Sequence, residues 1–273
     1  MPKFHVIAGP DSTPVYPSVR KIGPADLKDA LAKGVEDFLT MPSSLVFLGL
    51  IYPIVGIGLV AGSSLPLLFP LMSGFALVGP FAAIGLYEIS RRRELGLDTS
   101  WAHAFGVARS HSIFSILSLG LLLLVIFAGW EFTAQSLYVG LFGTTPPESI
   151  TQFITNIFDT PQGWKLIAYG TAIGFVFAVV ALSISVVSFP LLLDRDVEVP
   201  VAVLTSIKAV WKNPFTMALW GLIVATSLAI GFLLLFVGLA VAVPVLAHSS
   251  WHLYRRVVPK IRDKILDDAS AMG

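Results

Sequence analysis

Long runs without any charged residue divide this sequence into pieces of the size of membrane helices. Aspartate, glutamate, lysine and arginine are absent from residues 38–87, 110–130, 166–193 and 213–254. A helix needs roughly 20 residues to cross the hydrocarbon core of a bilayer. Because the first and last of these runs are about twice that length, each predicts a hairpin of two helices. Each of the other two runs predicts a single crossing.

The charge-free runs therefore predict six transmembrane helices. Their approximate bounds are 44–62, 66–89, 112–134, 166–190, 214–230 and 232–254. The turns of the two hairpins are expected at Gly62-Ser63-Ser64-Leu65-Pro66 and near Gly231. A loop is expected at 131–164, with a short membrane-surface helix over 148–158. Residues 1–24 are rich in proline and predict an extended or disordered N-terminus, 25–258 a single transmembrane domain, and 259–273 a polar tail.

The basic residues predict which way the helices point. Of the 18 lysines and arginines, 17 lie before the first crossing, after the last one, or in the loops 91–109 and 195–212, whereas Lys165 alone lies in the opposite set of loops. Loops that carry an excess of lysine and arginine stay in the cytoplasm. We therefore expect both termini to be cytoplasmic and the loop at 131–164 to be an external insertion. An odd number of crossings would scatter the basic residues to both faces.

The overall composition supports a membrane protein and excludes several kinds of site. Hydrophobic residues make up 55% of the chain and charged residues 13%, with a mean hydropathy of +0.82, whereas a soluble domain usually has about 25% charged residues. The net charge of +1 argues against nucleic-acid binding. Since the chain has no cysteine, disulfides, thiolate metal sites and a cysteine nucleophile are excluded. The first long apolar run begins only after Asp37, which argues against a signal peptide.

A recurring order of elements suggests an internal repeat, in which an amphipathic helix and a break precede two membrane helices. Three segments place apolar residues at i, i+4 and i+7 on one helical face, namely Leu31, Val35 and Phe38; Trp101, Phe105 and Ala108; and Val203, Ile207 and Val210. Helices of this kind lie along the headgroup boundary. The returning membrane helices share a proline, at Pro80, Pro190 and Pro244. We therefore predict an all-α membrane fold made of three repeats. The alternative is that amphipathic segments beside membrane helices look alike without a duplication.

Several short motifs resemble a known family. They are the segment from Pro17 to Phe38, Pro42, Gly49-Leu50-Ile51-Tyr52-Pro53, Pro190-Leu191-Leu192-Leu193-Asp194-Arg195-Asp196, and Trp211-Lys212-Asn213-Pro214. With these motifs the chain resembles bacterial predicted integral membrane proteins of the domain of unknown function 2189 family, over about 16–258. The resemblance implies a location in the bacterial cytoplasmic, or inner, membrane. It brings no catalytic residues, because none is established for the family.

Candidate chemistry is confined to polar residues near the cytoplasmic ends of the predicted helices. They are Glu88, Arg91, Arg109, Asp194, Arg195, His248 and His252. His248 and His252 are one helical turn apart, and with His103 and His111 they suggest either a metal or haem site or ordinary interfacial histidines. No charge lies near the middle of a predicted crossing, where ion-coupled transporters usually need one. We expect no cofactor and no resident metal.

The expected partners are lipids and other membrane proteins. Anionic lipid headgroups are candidates for contact with Arg91, Arg92, Arg93, Arg255 and Arg256, which are otherwise ordinary positive-inside anchors. A membrane-protein partner or a second copy of the chain is also expected. The sequence has no glycine-rich phosphate loop, no HExxH zinc motif and no GxSxG elbow. It favours a non-enzymatic scaffold, accessory or lipid-interacting factor. An uncoupled permease or lipid or small-molecule transporter stays open, as does a membrane-embedded enzyme with a cytoplasmic-face site.

Overall fold

The structure is a computed structural model that describes residues 17–41, 83–100, 106–107, 110, 112–145, 147–234 and 237–260. All regular structure in this part of the chain is helical, which confirms the predicted all-α class. The helices are α1 (Pro24–Thr40), α2 (Ile84–Glu94), α3 (Ile113–Phe142), α4 (Ile150–Phe158), α5 (Pro161–Ser185), α6 (Ser188–Asp194), α7 (Val199–Lys212), α8 (Pro214–Leu233) and α9 (Leu239–Val257).

Part of the predicted topology falls on residues that the structure does not describe. The crossing at 44–62, most of the crossing at 66–89 and the turn of the first hairpin lie outside the described residues. The same holds for Trp101, Phe105 and Ala108 of the second amphipathic segment.

Three helical stretches among the described residues are long and apolar enough to cross a membrane. They are α3 with 30 residues, the stretch Pro161–Asp194 with 34 residues, and α8 with 20 residues. They correspond to the crossings predicted at 112–134, 166–190 and 214–230. The crossing predicted at 232–254 falls on α9, which is not among the three, because the second half of α9 carries histidines, serines and arginines.

The helix starts follow from capping chemistry. Pro24 begins α1, where its missing N–H leaves no donor unsatisfied, and the side chain of Asp26 accepts a hydrogen bond of 2.9 Å from the backbone nitrogen of Gly23. The short helix predicted over 148–158 corresponds to α4, where Ser149 Oγ accepts a hydrogen bond of 3.1 Å from the backbone nitrogen of Gln152.

Two bounds differ from the sequence prediction. α3 continues to Phe142 instead of ending at 134, so that Glu131, which the predicted bounds placed near the end of the helix, lies well inside it. α8 ends at Leu233 and α9 begins at Leu239, so the connection between them follows Gly231 instead of lying at it. Gly231 is instead a packing position, because a Cβ there would come within 3.0 Å of the backbone nitrogen of Leu239. The absence of a side chain at Gly231 lets the end of α8 and the start of α9 approach each other closely.

The crossing predicted at 166–190 is broken into α5 and α6. Pro190 has no N–H to donate to the carbonyl of Val186, so the helical ladder is interrupted at Val186 and Val187. The backbone nitrogen of Val187 finds a partner in α7, where Ser206 Oγ accepts its hydrogen bond at 3.2 Å. A side chain of α7 thus satisfies a backbone N–H group at the break between α5 and α6.

The helices converge at one end of the bundle. The helices α2, α6 and α9 contact one another, α1 packs on α9, and α7 packs on α5 and α6. The largest fully buried side chains include Trp220, Trp251, Tyr254 and Phe189. The name charged end is used below for the region that contains the C-terminal ends of α2, α6 and α9 and the contacts of α1 with α2 and α9.

The amphipathic helices α1 and α7 fully bury a stripe of mostly small residues, and the predicted apolar stripes lie beside it and are mostly partly buried. The buried residues are Leu27, Ala30, Gly34 and Asp37 in α1, and Ala202, Thr205, Ser206 and Ala209 in α7. Small residues allow close helix contact. A Cβ at Gly34, for example, would come within 2.6 Å of the backbone nitrogen of Ser249. Of the predicted stripes, Leu31, Val203 and Val210 are partly buried against the core, whereas Val35 is 42% exposed. Leu204, which lies next to the predicted stripe of α7, is 49% exposed.

Candidate functional site

The first of two hydrogen-bonded networks at the charged end is centred on Asp194 of α6. Arg255 of α9 donates two hydrogen bonds to the Asp194 carboxylate, from Nη1 to Oδ2 at 2.7 Å and from Nη2 to Oδ1 at 2.8 Å. The Nε of Arg255 also donates to Glu94 Oε2 of α2 at 2.8 Å. A paired arrangement of this kind is among the strongest that side chains form. The guanidinium of Arg255 therefore joins α9 to α2 and α6.

Aromatic side chains complete this Asp194 network. Tyr254 OH donates to Asp194 Oδ2 at 2.6 Å, and Trp251 Nε1 donates to Glu94 Oε2 at 3.1 Å. The guanidinium carbon of Arg255 lies 4.7 Å from the centre of the Trp251 ring, within the range of a cation–π contact. Although burial disfavours the charged form of Arg255, the facing carboxylates of Asp194 and Glu94 raise its pKa above the ordinary value.

The second network is centred on Asp37 of α1, a buried carboxylate with 5% of its surface exposed. Its Oδ2 accepts hydrogen bonds from Ser90 Oγ at 2.6 Å and from His252 Nε2 at 2.8 Å, and its Oδ1 accepts one from Arg93 Nη1 at 2.7 Å. Burial opposes ionisation of Asp37, but the hydrogen bonds from His252 and Ser90 outweigh burial and lower its pKa. Asp37 is therefore an ionised carboxylate that joins α1 to both α2 and α9.

Ser90, Asp37 and His248 form a chain that resembles a catalytic triad only in composition. Ser90 Oγ lies 2.7 Å from His248 Nδ1 as well as 2.6 Å from Asp37 Oδ2. A hydroxyl has one proton, and because ionised Asp37 can only accept, that proton goes to Asp37. His248 must then donate from Nδ1, which leaves its Nε2 as an acceptor. That nitrogen is buried without a partner among the described residues. The imidazole thus cannot withdraw a proton from Ser90, and the arrangement does not activate a nucleophile.

The residues that the sequence singled out are divided among separate contacts. Glu88 pairs on its own helix with Arg91, through bonds of 2.7 and 3.0 Å, and more distantly with Arg92 at 3.6 Å. Arg195 donates to the backbone carbonyl of Pro259. Asp194 belongs to one network and His248 and His252 to the other. Arg109 lies outside the described residues.

A polar cavity of about 290 Å³ lies between the two networks. It is lined by Lys33, Glu36, Asp37, Ser90, Arg93, Glu94, His252, Arg255 and Arg256. These residues include four cations and three carboxylates, so the lining is close to neutral. Ser183, which lies within the membrane-crossing stretch Pro161–Asp194, is not part of the lining.

The histidines of the charged end do not assemble a metal centre in the part of the chain that the structure describes. No group of three or more histidine, aspartate or glutamate side chains there has an arrangement able to hold a metal ion. His252 is engaged by Asp37 and His248 by Ser90. His103 and His111, the other two candidates, are outside the described residues.

Sequence reasoning singled out Asp194, His248 and His252 but missed the partners that complete the two networks, namely Asp37, Ser90, Trp251 and Glu94. Asp37 and Ser90 are 53 residues apart, and Trp251 and Glu94 are 157 residues apart, so no local spacing connects them. One signal was present for Asp37, because it continues the i, i+4, i+7 stripe of Ala30 and Gly34. An acid in a stripe of small residues indicates a buried carboxylate with a partner.

The arginines that were candidates for anionic lipid are all engaged within the protein. Arg91 and Arg92 pair with Glu88, Arg93 with Asp37 and Glu36, Arg255 with Asp194 and Glu94, and Arg256 with Asp29. Their contact with lipid headgroups stays a prediction.

Comparison with known proteins places the chain in relation to one family. A family model described as "Predicted integral membrane protein (DUF2189)" matches residues 68–194. No curated protein and no solved structure matches the chain. The match is shorter than the expected 16–258 and leaves out the motifs at 17–53 and 211–214, while it includes the start of the Pro190 motif. The resemblance to the domain of unknown function 2189 family is thus confirmed over residues 68–194, and the chain is an integral membrane protein.

Proposed function

We propose that this protein is a non-enzymatic scaffold or accessory protein of the membrane. The observation that carries the proposal is the way in which charges at the charged end satisfy one another. Asp194, Glu94 and Asp37 each accept from two or more donors of the same chain. An enzyme site usually keeps a reactive group available, with a pKa matched to its task. Here the charged groups join helices instead.

The networks give the charged end the properties of a rigid platform. Arg255 connects α9 to α2 and α6, and Asp37 connects α1 to α2 and α9. Four helices are thereby held in one arrangement by hydrogen bonds to ionised groups, which are roughly twice as strong as neutral ones. A platform that does not rearrange suits a protein that positions a partner.

We further propose that the chain has the whole topology that the sequence predicts, with six crossings, three repeats and both termini cytoplasmic in a bacterial inner membrane. Two contacts support the repeats. α1 packs on α9, and α7 packs on α5 and α6, so in both cases an amphipathic helix docks on a returning helix of another unit. The ends of α2, α6 and α9, one from each proposed unit, also meet.

The scaffold function can be tested by cross-linking in intact membranes. Lys33 and Lys260 are exposed at the charged end, whereas Lys165 lies at the opposite end of the bundle and provides a matched internal control. An amine-reactive cross-linker should join Lys33 or Lys260, but not Lys165, to one membrane protein or to a second copy of the chain. Mass spectrometry after extraction into native lipid discs identifies the product. If neither lysine gives an intermolecular product and no protein co-purifies, the scaffold proposal is wrong.

An uncoupled permease is the second candidate, and the polar cavity of about 290 Å³ favours it. The cavity is large enough for a small polar solute, and Ser90 and His252 are among its lining residues. In this case, liposomes that contain the purified protein should take up small polar solutes faster than empty liposomes. Filling the cavity with Ser90→Leu should abolish the difference. Equal uptake by both kinds of liposome would exclude this candidate.

A further inference from the structure

A basic and aromatic surface lies on the outward face of α7 and on the segment before α1. It consists of Lys21, Lys208, Trp211 and Lys212, and it is called the lysine–tryptophan patch below. All four side chains are exposed, Trp211 to 80%. Leu204 and Phe215, which are 49% and 73% exposed, extend the patch along the same side. The patch combines three positive charges with large apolar groups.

Hydrogen bonds hold the two parts of the patch side by side. The backbone nitrogen of Ile22 donates to Asn213 Oδ1 at 2.8 Å, and Lys212 Nζ donates to the carbonyl of Val19 at 2.6 Å. Thr216 Oγ1 also donates to the carbonyl of Ile22 at 3.0 Å. The segment 19–22 therefore runs along the junction of α7 and α8. Lys21 is fixed beside the helix that carries the other two lysines.

The lysines of the patch differ from the arginines of the charged end. None of Lys21, Lys208 and Lys212 has a carboxylate of the described residues within ion-pairing distance. The arginines discussed above are all paired inside the protein. The lysines of the patch can thus meet an outside anion without first breaking an internal ion pair, whereas the arginines of the networks cannot.

The position of the patch, next to a helix that can cross the membrane, indicates which kind of molecule it meets. The helix α7 leads directly into α8, one of the three stretches able to cross a membrane, so the end of α7 lies where α8 enters the bilayer. Tryptophan is enriched at this depth, and lysine side chains extend from it to the headgroups. The opposite face of α7 is already buried on α5 and α6. We propose that the lysine–tryptophan patch binds the headgroups of anionic phospholipids, which goes beyond the scaffold function.

The absence of cysteine in the chain makes a local measurement possible. A single Leu204→Cys variant of the full-length protein carries a fluorophore next to the patch. It is reconstituted into vesicles of one part phosphatidylglycerol and three parts phosphatidylcholine, with a quenching spin label near the headgroup of either one lipid or the other. The ratio of the two quenching values gives the local enrichment of the anionic lipid.

We expect at least a fivefold enrichment of phosphatidylglycerol at the label, about what a single lysine contributes near an anionic surface. It should decrease at high salt, because screening shortens the range of the attraction. The triple variant Lys21→Gln, Lys208→Gln and Lys212→Gln should bring the enrichment to within about twofold of the bulk ratio. Since Lys212 also holds Val19, the double variant that keeps Lys212 should show an intermediate loss.

A matched control removes three lysines elsewhere, with Lys28→Gln, Lys33→Gln and Lys260→Gln. The net charge changes equally, and the enrichment should stay. The proposal is overturned if both lipids quench in proportion to their bulk share, or if the control variant loses as much enrichment as the patch variant. If neither of the two labelled lipids quenches the fluorophore, the patch lies in water, away from the bilayer, and the proposal is also overturned.

Discussion

Replacing Arg255 with methionine should destabilise the folded protein by about 3 kcal/mol, because two carboxylates would keep their buried positions without their main cation. The side chains of Arg255, Asp194 and Glu94 are only 14%, 12% and 19% exposed. Breaking a buried ion pair from one side costs about 3–5 kcal/mol. The lower end applies because Tyr254 still donates to Asp194 and Lys260 to Glu94.

Thermal unfolding in lipid nanodiscs measures this effect. A loss of about 3 kcal/mol corresponds to a decrease in Tm of roughly 6–12 °C for a chain of this size. Lys260→Met is the matched control, because Lys260 pairs with the same Glu94 at 2.6 Å but is 47% exposed. Exposed pairs contribute about 0–1 kcal/mol, so the control should lower the Tm by no more than about 4 °C. If both variants shift the Tm equally, the charged end is not the rigid platform described above.

Three further predictions concern helix packing, acid stability and topology. Gly34→Ala should weaken the docking of α1 and lower the Tm by several degrees. The control Gly140→Ala should be neutral or slightly stabilising, because a Cβ there meets nothing within 4 Å. Unchanged stability of the Gly34→Ala variant would refute the close packing of α1 on α9. The Tm should be constant from about pH 7 to 5 and decrease below about pH 4. Because folding lowers the pKa of Asp37, its ionised form stabilises the folded protein above the ordinary pKa of an aspartate. This stabilisation is lost as the pH falls through the lowered pKa of the folded protein. Asp37→Asn should flatten that fall, and an equal fall in both proteins would exclude Asp37 as its cause. Reporter fusions after Ser149 should report an external position and those after Asp98 a cytoplasmic one, and the opposite pattern would refute the topology.

The positions of the apolar helices could be predicted because insertion into a membrane depends on local hydropathy. A long run without charge must be helical in lipid, whatever it later packs against. The sequence therefore predicted α3, α5 and α8. It did not predict the break at Val187, because a proline alone does not show whether a helix bends or divides. The break depends also on Ser206, which is 19 residues away and accepts the hydrogen bond from the backbone nitrogen of Val187.

The candidate site was only partly predictable, for a related reason. The pair of Glu88 and Arg91 follows from their spacing on one helix. The contact of Asp37 with Ser90 depends on how α1 lies on α9. That contact is set by the missing side chain of Gly34 and cannot be read from the apolar stripe. The stripe predicted the amphipathic character of α1 but not which residues are fully buried, since Leu31 is only partly buried and Val35 is exposed.

The attachment of α1 to α9 has a consequence for how the protein is made. The hydrogen bond between Asp37 and His252 joins residues that are 215 positions apart. At a synthesis rate of 5–20 residues per second, α1 leaves the ribosome about 10–40 s before its binding surface exists. During that interval Asp37 lacks its histidine partner, and the exposed side of α1 with Val35 can rest on the membrane surface. A chain that stops before α9 therefore lacks the histidine partner of Asp37 and leaves the small-residue stripe with Gly34 without the helix on which it packs.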